Sequence, residues 1–242
     1  MRLLVSVTNK VEALRAVKGG AHIIDVKNPS EGSFGANFPW VIREVREVVP
    51  EGFEMSATIG DLPNLPGTAS LAALGAVVSG ADYVKVGLFG VRARSEAINL
   101  MAKVCRAVKE YNGSSKVIAA GYADFREVGC LNPLSLPEVA SKAGARGVLV
   151  DVKMKNRGGL FDFLRDAELR KLVRESHRHG LIAALAGSLD IDDLPRVFNL
   201  GADIIGVRRA VCSGKDRERG EVQTGVVTEF VKRINDLNAS RR

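Results

Sequence analysis

Gly20-Ala21-His22-Ile23-Ile24, Gly80-Ala81-Asp82-Tyr83-Val84, Gly144-Ala145-Arg146-Gly147-Val148 and Gly201-Ala202-Asp203-Ile204-Ile205 are versions of one element, Gly-Ala-x-x-hydrophobic. Each follows a helical pattern and runs into a short β-branched stretch. A helix-capping glycine, a tight turn and a buried parallel strand produce that order of residues. The copies lie about two βα units apart. Further strand candidates fall between them, at 54–58, 116–121 and 181–185, and Leu3-Leu4-Val5-Ser6 opens the chain. The strands alternate with amphipathic helices expected at 10–18, 40–48, 69–79, 94–110, 137–143, 167–179, 192–200 and 222–237. Such alternation builds a parallel sheet. Eight units in 242 residues, with no linker or low-complexity segment, predict an α/β fold: one (β/α)8 TIM barrel, a single domain over 1–242. An open Rossmann-like sheet is the alternative, weakened because no GxGxxG motif follows any strand.

Apolar residues make up 46% of the chain, ample for a sizeable core. Lys and Arg outnumber Asp and Glu by 35 to 28, giving +7. Such a balance suits a nucleic acid or an anionic small molecule. The basic residues are spread along the chain, except at Arg208-Arg209, Lys215 to Arg219 and Arg241-Arg242. Aromatics are only 5%, with no array on which bases would stack, so no nucleic-acid partner is expected. Cys105, Cys130 and Cys212 are odd in number and form no CxxC pattern, as in a reducing cytoplasm. The first strand begins almost at Met1, leaving no room for a signal peptide. The longest apolar run, Ala69 to Val78, suits a buried helix better than a membrane span. The expectation is a cytoplasmic protein without a membrane partner. Barrels of this size often self-associate, so a homo-oligomer is expected.

In this barrel the functional groups lie at the C-terminal strand ends. Strand 1 delivers Ser6, strand 2 Asp25 and Lys27, strand 3 Thr58 and Gly60-Asp61, and strand 4 Lys85 and Gly87. Strand 5 delivers Gly121-Tyr122-Ala123-Asp124, strand 6 Asp151 followed by Lys153 and Lys155, strand 7 Gly187-Ser188, and strand 8 Gly206 and Arg208. The gathering of Lys and Asp at one rim is the strongest chemical signal in the chain.

Three readings of the lysines compete. They fill the mouth as Lys–Asp ion pairs, they bind phosphate as point charges, or one of them forms an imine. A lysine in a dry pocket beside other cations loses its proton readily and becomes a nucleophile. Lys27, on the same strand face as Asp25, would gain that property from Lys85 if their strands approach. Lys85 is then the natural base, with Asp25 to orient the amine or shuttle a proton, and Asp151 and Lys155 to run a second proton transfer. Phosphate is expected at Gly187, Ser188, Gly206 and Arg208, because loops after strands 7 and 8 of such barrels commonly hold it.

Other polar features carry less. His177 and His179 sit near the end of a charged helix, and His22 precedes a strand, so surface and structural roles are expected. Clustered His, Cys and Glu ligands are absent, so no bound transition metal is expected. The glycine-rich stretch Ser30 to Asn37 is a mobile cover for the site or a plain connection. The run Lys215 to Gly220 reads as a solvated loop, with a substrate-phosphate contact as the lesser reading.

Residues 23–29, 35–42, 70–76, 84–88, 119–124 and 160–163, among them Ile23-Ile24-Asp25-Val26-Lys27-Asn28-Pro29 and Ala119-Ala120-Gly121-Tyr122-Ala123-Asp124, together resemble the (5-formylfuran-3-yl)methyl phosphate synthase family of methanofuran and methylofuran biosynthesis. The resemblance covers nearly the whole chain. It implies a carbon–oxygen lyase that works through a lysine Schiff base without metal or organic cofactor. The substrate implied is a phosphorylated triose: two molecules of glyceraldehyde 3-phosphate condense to the furan phosphate, with loss of phosphate and water. The family's Schiff-base lysine maps onto Lys27 and its proton-accepting lysine onto Lys85. Asp25, Asp151 and Lys155 match further positions that assist. Two departures stand out: Arg209, where a small residue is expected, and Lys153, an extra cation beside Lys155. The residues alone lead to a class I aldolase-like enzyme or an isomerase of triose or sugar phosphates. The furan product comes only from the resemblance.

Overall fold

Side chains alternate across a strand, so a short run of β-branched and small residues offers one face to helices and the other to a barrel interior. In the computed structural model, which describes residues 1–111, 113–216 and 218–240, this separates two cores. Leu3, Val5 and Val7 of β1 (Arg2–Val7) pack into the layer shared with the helices, and Leu4 turns inward. The inner cluster joins Leu4 to Ile23, Ile118, Leu149, Ala184 and Ile204. These residues fill the lower barrel, and two positions further along β1, β2 and β6 the inward-facing residues are the polar Ser6, Asp25 and Asp151.

The remaining strands are β2 (Ile23–Val26), β3 (Glu54–Pro63), β4 (Tyr83–Gly90), β5 (Lys116–Tyr122), β6 (Gly147–Asp151), β7 (Ile182–Leu185) and β8 (Ile204–Val207). All pair in parallel in chain order, and β8 returns to β1. This is the closed (β/α)8 barrel that the alternation predicts. The register sets Ser6 beside Asp25 and Asp25 beside Ser56, a polar row inside the barrel.

The helices are α1 (Lys10–Lys18), α2 (Pro39–Val48), α3 (Pro66–Val78), α4 (Arg94–Tyr111), α5 (Phe125–Val128), α6 (Leu136–Ala143), α7 (Leu160–Phe163), α8 (Asp166–Arg178), α9 (Leu194–Leu200) and α10 (Thr224–Ala239). Helix α3 begins at Pro66, ahead of the expected Ala69, because proline's fixed φ and missing N–H suit the first helical turn. Helix α10 begins after the expected Val222, which is buried and bridges Cys212 instead. The single-turn helices α5 and α7 lie in loops where no helix was expected. Strand β3 runs on beyond Thr58 through a register shift at Gly60, whose φ of +111° suits glycine. That irregularity brings Asp61 to the rim. Among the described residues no helix is long and apolar enough to cross a membrane.

One buried ion pair closes the seam between the first and last strands. Glu12 lies on the inner face of α1, beside Ala13 and Ala16. Its carboxylate accepts from the Thr8 backbone N–H at 2.7 Å, from Thr8 Oγ1 at 3.0 Å and from the Arg208 guanidinium at 2.8 and 3.3 Å. Arg208 also donates to the Ser6 carbonyl at 3.0 Å. Both side chains are almost fully buried. Removing one member leaves a buried charge unpaired. Glu12→Ala is therefore expected to destabilise the barrel by about 3–5 kcal/mol, and Glu12→Leu combined with Arg208→Leu by much less. Chemical denaturation of the three proteins checks this.

Candidate active site

A cavity of about 370 Å3 opens at the C-terminal ends of the strands. Lys27, Lys85, Asp151, Lys153, Lys155 and Arg209 line it, with Gly187, Ser188 and Gly206 at the β7 and β8 ends. The rim that the sequence predicts is thus assembled in one place.

Each carboxylate here is fixed by donors. Asp25 is 0% exposed; Ser56 Oγ donates to it at 2.6 Å, Ser6 Oγ at 2.8 Å, and Lys85 Nζ stands 2.5 Å away. Burial pushes the Asp25 carboxyl up. The ammonium groups of Lys85 and Lys27, with the hydrogen bonds from Lys85 and Ser56, outweigh burial and hold it below the ordinary range. On the opposite wall Asp151 accepts from the Val152 N–H at 2.7 Å and forms an ion pair with Lys155. Burial again acts upward, and Lys155, Lys27 and these hydrogen bonds bring this carboxyl down. Both aspartates stay ionised at neutral pH.

Lys27 differs from its neighbours. Among the described residues no carboxylate lies within ion-pair distance of its Nζ, and the residue is 7% exposed. Burial is the main reason that its pKa falls from 10.5 to about 7. The Lys155 ammonium pushes the same way, Asp151 and Asp25 pull partly back, and Lys85 adds the smallest push. The depression expected from Lys85 therefore comes mainly from desolvation and Lys155. Near neutrality a large fraction of Lys27 is free amine, the form that attacks carbonyl carbon.

A third pair was not singled out as functional from sequence. The bulge in β3 points Asp61 at Lys153 Nζ, 2.5 Å away, and at the Tyr122 hydroxyl, which donates to it. Burial and then the Asp61 charge raise the Tyr122 pKa well above 10, so Tyr122 remains a donor. Asp124 accepts the backbone N–H groups of Lys153 at 2.9 Å and Met154 at 2.7 Å, which fixes the segment that carries Lys155. Alternating lysines after β6 signal the first of these contacts, but only the bulge reveals their partner.

The stretch from Ser30 to Asn37 is a pinned cover. Ser33 donates from its N–H to Asp61 at 3.0 Å and from Oγ to the Val152 carbonyl at 2.6 Å. Phe34 is buried edge-on to Tyr122, with ring centroids 5.5 Å apart, and roofs Lys85 at 6.0 Å. A lone aromatic inside a glycine-rich loop is the one sequence sign of that role.

Arg208, expected to meet a phosphate, is among the residues that line the cavity, and its guanidinium donates to Glu12 and the Ser6 carbonyl. An acid on the apolar face of α1 was the clue to its partner. Within the run from Lys215 to Gly220, Lys215 pairs with Asp190 at 2.6 Å and Glu218 lines the cavity. Arg217 of that run, and the Arg241-Arg242 tail, lie outside the described residues. His22 Nδ1 accepts from the Leu3 N–H at 3.0 Å, and His177 meets Asp203 on the surface at 2.9 Å. Among the described residues no group of three or more His, Cys, Asp or Glu side chains is placed to hold a metal.

A family model described as 4-HFC-P synthase matches residues 3–231. The chain belongs to this family of enzymes. It is 53% identical to (5-formylfuran-3-yl)methyl phosphate synthase of Methanopyrus kandleri over 233 residues, covering 96% of this chain and 98% of that protein. It is 50% identical to the protein of that name from Methanosarcina acetivorans, covering 97% of each. Among solved structures, 3-hexulose-6-phosphate synthase from Salmonella typhimurium superimposes with a TM-score of 0.66 at 18% identity, over 97% of this chain and 100% of that one. Phosphoribosyl anthranilate isomerase from Thermus thermophilus gives 0.62 at 17% identity, over 100% of both. These two share the barrel fold.

An amine buried at a depressed pKa opposes folding. The penalty is complete below the folded pKa of about 7 and is relieved as pH rises toward the unfolded value of 10.5. Lys27→Met is expected to remain folded and to be more stable at pH 6 by about 4 kcal/mol. That advantage is expected to shrink between pH 7 and 10. Thermal melts of both proteins across this range test it.

Proposed function

We propose that this chain makes (5-formylfuran-3-yl)methyl phosphate by condensing two molecules of glyceraldehyde 3-phosphate through a Schiff base on Lys27, as a carbon–oxygen lyase of methanofuran or methylofuran biosynthesis in the cytoplasm. Loss of one phosphate and two waters balances the atoms. The observation that carries this reading is the Lys27 amine: buried, without an ion-pair partner among the described residues, and with a pKa of about 7 between two lysine–aspartate pairs.

Lys27 attacks the carbonyl carbon of a keto-triose phosphate formed from one substrate molecule. The leaving hydroxyl of the carbinolamine takes a proton from the Lys85 ammonium and departs as water. Lys85 is then a neutral amine, held in place by Asp25, and accepts the proton α to the iminium carbon. The resulting enamine forms the carbon–carbon bond to the aldehyde of the second molecule. Asp151 and Lys155, on the opposite wall, serve the proton transfers of isomerisation, ring closure and elimination. Phe34 and its pinned loop keep water from the iminium.

Borohydride reduction in the presence of glyceraldehyde 3-phosphate, followed by mass spectrometry, is expected to place a stable adduct on Lys27 and none on Lys27→Arg. Substrate consumption without an adduct would favour an enediol isomerase and rule out imine catalysis. An adduct with an aldol product and no furan would favour another class I aldolase. In initial-rate assays kcat/KM is expected to fall about tenfold per pH unit below about 7, as Lys27 protonates.

A further inference from the structure

Condensing two phosphorylated trioses brings two phosphates into one barrel mouth, and one of them leaves. The glycines at the β7 and β8 ends offer a seat for one. The central cavity continues outward between the segment after β6 and the loop after β7, into a groove of about 650 Å3. Lys155, Ser188 and Arg209 belong to both spaces. Two other arginines line the groove, and each already holds a carboxylate. Arg157 meets Glu127 at 3.2 Å, and Arg196 meets Asp166 at 2.7 Å while stacked on Phe161 at 3.7 Å.

Arg209 is different. Among the described residues it has no carboxylate within ion-pair distance; its fork donates only to the Ser188 carbonyl, at 3.3 Å. Asp190, which feels its charge, is taken up by Lys215. Ser188 is itself held at a φ of +57°, one of two left-handed non-glycine residues among those described. Strain of that kind gathers where a backbone is fixed for a ligand. A half-buried guanidinium braced on such a loop, between the central cavity and the outer groove, is a seat for a doubly charged oxyanion.

We propose that Arg209 and the outer groove form the leaving-group subsite, which holds the phosphate that is eliminated and passes it to solvent. This rests on the furan-forming reading above. In the step concerned a base takes a proton from the carbon next to the one bearing the phosphate ester. The C–H electron pair becomes the new carbon–carbon double bond, and the C–O bond breaks with its electron pair going to the phosphate oxygen. Arg209 stabilises the charge that develops on that oxygen. No oxidant or further reactant is required.

The test titrates inorganic phosphate calorimetrically into the intact protein, Arg209→Gln and Arg209→Lys, and then measures phosphate as a product inhibitor of turnover. Arg209→Gln is expected to lose one phosphate equivalent or to bind it at least tenfold more weakly, with Arg209→Lys between. It is also expected to escape product inhibition and to turn over more slowly, while the borohydride adduct on Lys27 persists. Unchanged phosphate stoichiometry and affinity in Arg209→Gln overturn the proposal, as does lost binding with product inhibition intact. Absence of the Lys27 adduct in the wild-type protein would instead sink the furan-forming reading, since the titration needs no turnover.

Discussion

Everything at the barrel mouth depends on how ammonium groups are kept in a space with little water. An isolated ionised group is costly there, and a lysine meets that cost by pairing or by losing its proton. Lys85, Lys153 and Lys155 take the first course with Asp25, Asp61 and Asp151. Lys27 takes the second, because no carboxylate remains within its reach among the described residues. Burial disfavours the charged form of Lys27, the ammonium groups of Lys155 and Lys85 add to that effect, and Asp151 and Asp25 offset part of it. The lowered pKa of Lys27 is therefore a property of the whole mouth rather than of one side chain.

Such an arrangement needs a frame that does not yield. The parallel register supplies most of it, since Ser6 and Ser56 are placed beside Asp25 by strand pairing alone. The two cores divide the remaining work: the outer one fixes the helices on the barrel, and the inner one stops the lower barrel from flooding. Glu12 and Arg208 lock the closing seam, which ties much of the Arg208 guanidinium to the frame. Its neighbour Arg209, turned toward the cavity and the outer groove, has the freer guanidinium.

The cover over the site follows the same logic. A glycine-rich loop is conformationally loose by composition, but here Ser33, Asp61 and the backbone after β6 form a short hydrogen-bonded bridge across the mouth. Phe34 is driven into the interior by burial of its ring, where it closes over Lys85. Loop order in this protein is thus produced by contacts from distant strands, and Phe34, packed edge-on to the buried Tyr122, lines the cavity.

The sequence by itself determined the barrel and the chemical inventory of its mouth. The repeated Gly-Ala turn, the strict alternation of strand and helix, and the position of Lys27, Lys85, Asp25 and Asp151 at strand ends are local facts, and strand periodicity converts them into one shared face. The family was legible too, because its motifs recur from one end of the barrel sequence toward the other. Tertiary structure decided how the charges pair. That Lys85 belongs to Asp25 and Lys153 to Asp61, that Lys155 rather than Lys85 is the stronger cation acting on Lys27, and that Arg208 belongs to Glu12 depend on separations between elements far apart in the chain. Charge interactions fall off with distance and depend on burial, and neither quantity is written in the order of the residues.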